Sequence, residues 1–518
     1  MKTKGKKILG FTLGNCIHVA GIHRFMQLAE SCGYEGEFAG ACFSPREIIA
    51  AVKLKKPDMV ALSYRLTPEV AQKIFTDLLG IIEKEKITGI TWLFGGTPPV
   101  CEEAKKAGIF SAVFSGEETD EQVLRWLKGE YKPGREERYA DNLLERIKEQ
   151  EPFPLLRHHF GLPDLEETIE GVRLIAESKT VDIISIGPDQ NAQECFFRPA
   201  EMDPSQDGAG GVPLRKAADL RRIYQASRYG NYPLLRIYSG TRDLIRWAEL
   251  SVKELHNAWA AVPLYWYSIM DGRSRRNISE AIAENLETMA WYGKRGIPVE
   301  VNEAHHWSLR GAPDEVAVAA AFLAAYNAKK QGVRDFILQL MWNTPPQILP
   351  YQDLAKMLAE MEMVQSLLGR NFRVWRQVRA GLASLSPNMA VAKGQLAAST
   401  QLAMQINPHI IHVVGYCEGD HAARPEEVIE SCQIVRGVLK NCLYGLPDCS
   451  LDERVQERKK ELLVKAGRII KEITSLSKTD DGLADPEILA LAVRKGIMHA
   501  PQIMKEALEE GVRYSLNR

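Results

Sequence analysis

No Cys-x-x-Cys pair occurs among the nine cysteines, which lie at 16, 32, 42, 101, 195, 417, 432, 442 and 449. Odd in number and scattered, they fit reduced thiols and exclude a zinc knuckle or a disulfide framework. Charge of one sign is lacking too. The formal net charge is -1 and there is no long Lys/Arg run, which argues against nucleic acid or an anionic membrane surface as the main partner. After the basic start Met1 to Lys7, the apolar stretch is too short and glycine-interrupted for a signal peptide or a membrane span. A cytoplasmic protein acting on a small-molecule substrate is the expectation. With 518 residues, 45% hydrophobic and 26% charged, the chain has material for two or more globular domains.

Residues 1–130 alternate apolar runs, at 8–14, 37–41, 59–63, 90–94 and 112–114, with helical patterns, which predicts five βα units. Two helix starts are explicit. Ser44-Pro45-Arg46-Glu47 sets an N-cap serine before proline and glutamate, and Thr67-Pro68-Glu69 repeats the cap and proline. The expected fold is α/β, a doubly wound parallel sheet whose ligand edge is made by loops 14–21, 63–67, 95–98 and 115–118. The first of these, Asn15-Cys16-Ile17-His18-Val19-Ala20-Gly21, brings an imidazole to that edge. His18 is the candidate metal ligand, with His23 one turn further on as the alternative. Taken alone, the loop also suits an ordinary surface histidine on a sheet that binds a flavin or nothing.

The order of motifs resembles the cobalamin-binding domain shared by methionine synthase and the adenosylcobalamin mutases, whose pattern is Asp-x-His-x-x-Gly, then Ser-x-Leu, then Gly-Gly. Here these are Cys16-x-His18-x-x-Gly21, Ser63-x-Arg65 and Gly95-Gly96. The resemblance implies that His18 binds the cobalt of cobalamin from below and displaces the cofactor's own base. The displaced tail would thread past Gly95 and Gly96, with Ser63 and Thr97 offering hydroxyls to it and Gly21 letting the first helix begin close by. Cys16 stands where the family has the aspartate that orients the histidine, and a thiol is a poor acceptor, so His18 should be held differently.

Pro-Gly and Pro-x-Pro punctuation at 131–180 marks a linker. Adjacent His158 and His159 point apart on either a strand or a helix, which favours a structural role. Residues 181–450 repeat the alternation on a larger scale, with strands expected at 182–187, 234–238, 262–268, 299–302, 336–340, 372–378 and 410–414. Seven strands with helices between suit a (β/α)8-type barrel with one strand missed, its site built by the loops after the strands. The densest polar cluster there is Asn302-Glu303-Ala304-His305-His306. Were the strand to run on to His305, Glu303 and His305 would share a face for acid–base work, for binding an ammonium group or for holding a metal. Other strand-end groups include Asp189, Tyr238, Arg242, Arg273, Arg275, Arg276, Arg379, Glu418, Asp420 and His421. Residues 451–518 read as a helical tail that braces the barrel or a homodimer partner.

Turn residues Gly211-Val212-Pro213, Tyr229 to Pro233, Gly240-Thr241 and Gln331-Gly332-Val333, with Asp485-Pro486-Glu487 and Ala500-Pro501 in the tail, resemble the large catalytic subunit of glutamate mutase (methylaspartate mutase). That resemblance implies an adenosylcobalamin-dependent radical isomerase with the cobalamin domain fused in front. Where that family uses arginines on substrate carboxylates, this chain places Glu303, and near Gly240 the family's arginine is either replaced by Tyr238 or displaced to Arg236. The expected substrate therefore differs from glutamate, with Glu303, His305 and Arg236 facing it. The alternatives are corrinoid methyl transfer, using methylcobalamin, and a non-catalytic cobalamin carrier or sensor.

Overall fold

Buried parallel strands need apolar residues on both faces, and the central strands of the first sheet, Lys7–Leu13 and Met59–Tyr64, are of this kind. In the computed structural model, which describes residues 5–116, 118–129, 139–344, 348–381, 384–442, 445–478, 481–504 and 507–508, the chain forms two units, Met1–Arg138 and Tyr139–Arg518. The first contains β1 (Lys7–Leu13), β2 (Glu35–Phe43), β3 (Met59–Tyr64), β4 (Thr91–Gly96) and β5 (Ala112–Phe114), all parallel in the order β2-β1-β3-β4-β5. The five predicted strands are all present. Helices begin where the caps predict: Ser44 accepts from Glu47 N, and the Glu47 carboxylate accepts from Ser44 N at 2.8 Å. Thr67 makes no such side-chain bond, so Pro68 alone marks that start. The helix Ala20–Ser31 lies against β1 at Gly10, where a Cβ would stand 3.2 Å from Ile22 and 3.3 Å from Met26.

The second unit is an eight-stranded parallel barrel: β6 (Leu155–Phe160), β7 (Ile183–Ile186), β8 (Leu234–Ile237), β9 (Ala260–Val262), β10 (Val299–Val301), β11 (Asp335–Trp342), β12 (Arg373–Ala380) and β13 (Ile410–Val413). The ladder runs β8-β7-β6-β13-β12-β11-β10-β9. Two backbone bonds, Ala258 N to Leu235 O at 2.8 Å and Ser239 N to Ala261 O at 3.2 Å, join β8 to β9 and bring the ring nearly to closure. The strand missing from the sequence reading is β6. It lies inside 131–180, the stretch expected to be a linker, and pairs with both β13 and β7. Before it, the helix Leu143–Gln150 sets Leu143 and Ile147 against Leu155, Ile183, Leu234, Trp259, Ile337 and Ile410, an apolar floor to the barrel.

Two strand ends differ from expectation, each for a local reason. β9 stops at Val262 because Pro263 supplies no N–H to the ladder, and Leu264 to Ser268 form a buried loop rather than a strand. β10 stops at Val301, and the helix Ala304–Leu309 takes over. In the tail, the helix Glu453–Ser475 packs on helices Asp314–Lys330 and Pro350–Gln365, and Pro486–Arg494 packs on Ile278–Gly293, so both brace the barrel. Among the described residues no helix is long and apolar enough to cross a membrane.

Candidate functional site

The first sheet reverses its winding between β1 and β3, and ligands settle outside the carboxyl ends of strands at such a point. The loop after β1 carries His18 there, exposed to solvent. Its Nδ1 lies 3.7 Å from the Cys16 thiol, so Cys16 takes up the orienting position with a soft, weak partner, and Nε2 is the nitrogen left for a ligand. Cys16 is fully buried, and its carbonyl accepts from the Thr12 hydroxyl, which fixes the turn. Thr12, Ser63 and Gly95 are neighbours across three strands. A Cβ at Gly95 would approach only Phe114 O, at 3.9 Å, so that position leaves room at the sheet edge. Gly96 is different: a Cβ there would be 2.6 Å from Tyr64 O, which makes this glycine a packing requirement. Thr97 is the extended residue before the helix Pro98–Ala107 and makes no side-chain cap bond, so its hydroxyl is not spent on the helix. Gly21 meets nothing within 4 Å. An exposed imidazole oriented from one side, with small residues at the neighbouring strand end, fits a corrinoid and its tail.

Above the apolar floor, the barrel lumen is polar. Arg157 donates to Ser185 Oγ at 2.6 Å, to Gln377 Oε1 at 2.8 Å and to Glu300 Oε2 at 3.2 Å. Arg236 donates to the same Glu300 oxygen at 3.2 Å, and the Trp259 indole donates to it at 2.8 Å. Burial alone would raise the Glu300 carboxyl; Arg236, Arg157 and the indole reverse that and hold it at about 2. Burial and the neighbouring Arg236 push Arg157 down to about 9. Nearer the strand ends, His159 Nε2 and the Tyr238 hydroxyl are 2.8 Å apart, and His412 lies 4.5 Å from the His159 ring. Arg379 lies close enough for its charge to depress His159, His305 and His412, after burial itself. Several donors and acceptors here have no partner among the described residues: Arg236 Nε and Nη1, Arg379 Nε, His305 Nδ1 and His412 Nδ1.

Of the expected barrel residues, Arg236 is in this lumen, and His305 is buried beside it. Glu303 is buried and held at the strand end. Its carboxylate accepts from Leu264 N at 2.8 Å, Tyr265 N at 3.2 Å and Trp307 Nε1 at 2.8 Å, tying the loop after β9 to the helix after β10. The shared strand face with His305 does not exist, because the strand ends before either residue. Burial pushes the Glu303 carboxyl up to about 8 against those three donors. Asp189 and the arginines at 273 and 276 are likewise engaged: Asp189 pairs with Arg215 at 2.6 Å, Arg276 bonds Glu284, and Arg273 lies over the Tyr267 ring. Sequence reasoning missed Arg157, His159, Glu300, Gln377 and His412. Val299-Glu300-Val301 carried the available signal, a carboxylate between two valines in a strand, where one face has to satisfy it internally.

These titrations make the protein sensitive to acid. Burial depresses His158, His159, His306 and His412 and holds His305 at about 3 and His409 at about 4, against an ordinary value of 6.5. A depressed group contributes stability that is complete above the unfolded value and is lost as pH falls toward the folded one. Glu303 and Glu360 at about 8, and Asp353 at about 6, act oppositely, contributing below their unfolded values and losing that as pH rises. Six histidines outweigh three carboxyls. The melting temperature is expected to fall steadily from about pH 6.5 to about pH 4.5, above the usual carboxylate range. Calorimetry across that interval checks it, and a flat profile down to the lower limit contradicts it.

The sheet, its reversal point and the histidine presented there define an α/β cofactor-binding domain. Residues 6–124 match the family model of the B12 binding domain, and the chain is by this domain a cobalamin-binding protein. Among curated proteins nothing matches. Similar solved structures include a cobalamin-binding protein from Desulfitobacterium hafniense DCB-2, with 22% identity over 24% of this chain and 57% of that one, at a TM-score of 0.21. Another is the cobalamin-dependent S-adenosylmethionine radical enzyme OxsB with aqua-cobalamin and S-adenosylmethionine bound, with 12% identity over 90% of this chain and 56% of that one, at a TM-score of 0.23. The signal receiver domain of the response regulator NarL from Mycobacterium tuberculosis aligns at 13% identity over 24% of this chain and 95% of that one, at a TM-score of 0.18. In these two alignments the chain matches little more than half the length of each cobalamin protein.

Proposed function

We propose that the protein is an adenosylcobalamin-dependent isomerase whose barrel binds a small substrate bearing a carboxylate. The observation that carries this reading is the lumen's excess of positive charge: Arg157, Arg236 and Arg379 against Glu300, with guanidinium and imidazole nitrogens unpartnered among the described residues. The histidines around them are held neutral by burial, so they offer hydrogen bonds without adding charge. Buried donors without acceptors are costly unless a ligand satisfies them, and an anion satisfies guanidinium best. His18 would hold cobalt through Nε2, with Cys16 behind it and Ser63, Gly95, Gly96 and Thr97 at the tail. When bound, adenosylcobalamin supplies a weak cobalt–carbon bond and hence an organic radical. The residues of the barrel would fix the substrate's orientation and keep water from it, which radical chemistry requires. The resemblance of residues 205–505 to the glutamate mutase large subunit supports the same reaction class.

The test is electron paramagnetic resonance of the protein loaded with adenosylcobalamin and mixed with a panel of small mono- and dicarboxylic acids. A cob(II)alamin signal that depends on one of them, with its isomer formed, is the expected result. Loading without any signal across the panel sinks the substrate class. Transfer of the methyl group from methylcobalamin to an added acceptor would replace isomerisation with methyl transfer.

A further inference from the structure

A second cluster of ligating side chains lies beyond the end of β13, apart from the lumen and independent of the isomerase reading. The short turn Tyr416–Gly419 carries Cys417, the following loop carries His421, and the first turn of the helix Pro425–Cys442 carries Glu427. We propose that Cys417, His421 and Glu427 form a binding site for a divalent transition cation of the zinc class.

The Cys417 sulfur, a His421 ring nitrogen and a Glu427 oxygen all lie within 4.8 Å of one another. Around a tetrahedral ion with bonds of about 2.0–2.3 Å, ligand atoms sit roughly 3.3–3.7 Å apart, so the His421 and Glu427 atoms, 2.9 Å apart, have to open slightly to admit the ion. His421 is exposed on its loop, while Cys417 is buried and Glu427 partly so. Two of the three ligands are anchored. Glu427 accepts from Arg424 N at 2.9 Å through its other oxygen, and Cys417 sits on a turn closed by Glu418 N to Gly415 O at 3.0 Å.

The orienting partner of the histidine is present as well. His421 Nδ1 lies 2.8 Å from Asp420 Oδ2, while Nε2 lies 2.9 Å from Glu427 Oε1. A carboxylate on Nδ1 keeps a proton on that nitrogen, so an ion that takes Nε2 displaces the proton shared with Glu427, as in carboxylate–histidine–zinc arrangements. A cation entering between Nε2, the Glu427 oxygen and the sulfur would take the place of one hydrogen bond and keep the other. On binding, the ion displaces the Cys417 thiol proton to solvent; the thiolate so formed and the carboxylate cancel its charge, and one sulfur, one nitrogen and one oxygen suit zinc above magnesium or calcium. Three protein ligands leave a fourth position for water, on the face of the barrel where strand ends are.

Cobalt(II) added to the full-length protein, freed of cobalamin and stripped of zinc, tests this. Expected are a thiolate-to-cobalt charge-transfer band in the near ultraviolet, ligand-field bands of tetrahedral intensity and one ion per chain. Zinc should displace the cobalt. Cys417→Ser should abolish the charge-transfer band, His421→Gln should abolish tight binding, and Asp420→Asn should lower affinity by about 10–100-fold while keeping the spectrum. Circular dichroism shows that each variant is folded, and the exposed position of His421 makes that variant the least disruptive. No charge-transfer band, or one that survives Cys417→Ser and His421→Gln, overturns the site and leaves an imidazolium bridging two carboxylates at the start of a helix.

Discussion

Replacing His18 with alanine is expected to remove the imidazole nitrogen coupling from the cob(II)alamin resonance spectrum and to weaken cobalamin binding by at least ~100-fold. Outer-sphere partners of a metal ligand already account for about 10–100-fold, and His18 is placed to be the ligand itself. Stability should change by less than about 0.5 kcal/mol, because the side chain is exposed and lies 3.7 Å from the weakly bonding Cys16 thiol. Cys16→Ser should have a smaller effect, since the thiol it replaces is a weak acceptor to begin with. The two measurements are separable: spectrum and affinity report on ligation, and the melting curve reports on the fold. Persistence of the nitrogen coupling in His18→Ala would transfer ligation elsewhere, first to His23, whose ring now packs on Phe38 at 4.4 Å.

The placement of His18 in the loop after β1 was legible because its signal is local. A polar loop between an apolar strand and a helix needs no knowledge of distant residues, and the central strands of the first sheet read clearly because both their faces are covered. The barrel's first strand was hidden by its function. Leu155-Leu156-Arg157-His158-His159-Phe160 breaks the apolar run of a buried strand with three polar residues, two of which face a lumen that only the closed barrel creates. Glu303 differs from the reading in another way, since the strand face it was to share with His305 does not form. As a strand-end carboxylate it looked chemical, yet its donors Leu264 and Tyr265 are brought to it by a loop that begins at Pro263. Which carboxylate is structural and which faces the lumen depends on where β10 stops, and its sequence alone does not encode that end.

The lumen's charge balance makes Glu300 the residue whose loss should cost most. Glu300→Leu removes the counter-charge shared by Arg157 and Arg236, both of them buried, and the acceptor of the Trp259 indole. Breaking one side of a buried ion pair costs about 3–5 kcal/mol, since the charge left behind is neither solvated nor paired. Glu300→Gln should cost less, because an amide oxygen can still accept from the indole. Pairing the change with Arg236→Met should recover part of the loss, and a double-mutant cycle read by denaturant unfolding measures the coupling. The same substitutions bear on the ligand. Glu300→Gln raises the positive excess of the lumen by one charge, so a small dicarboxylate should raise the melting temperature of the variant more than that of the parent protein. Equal shifts in both would mean that the anion does not reach the arginines, and the substrate class proposed for the barrel would then fail even with the cobalamin domain intact.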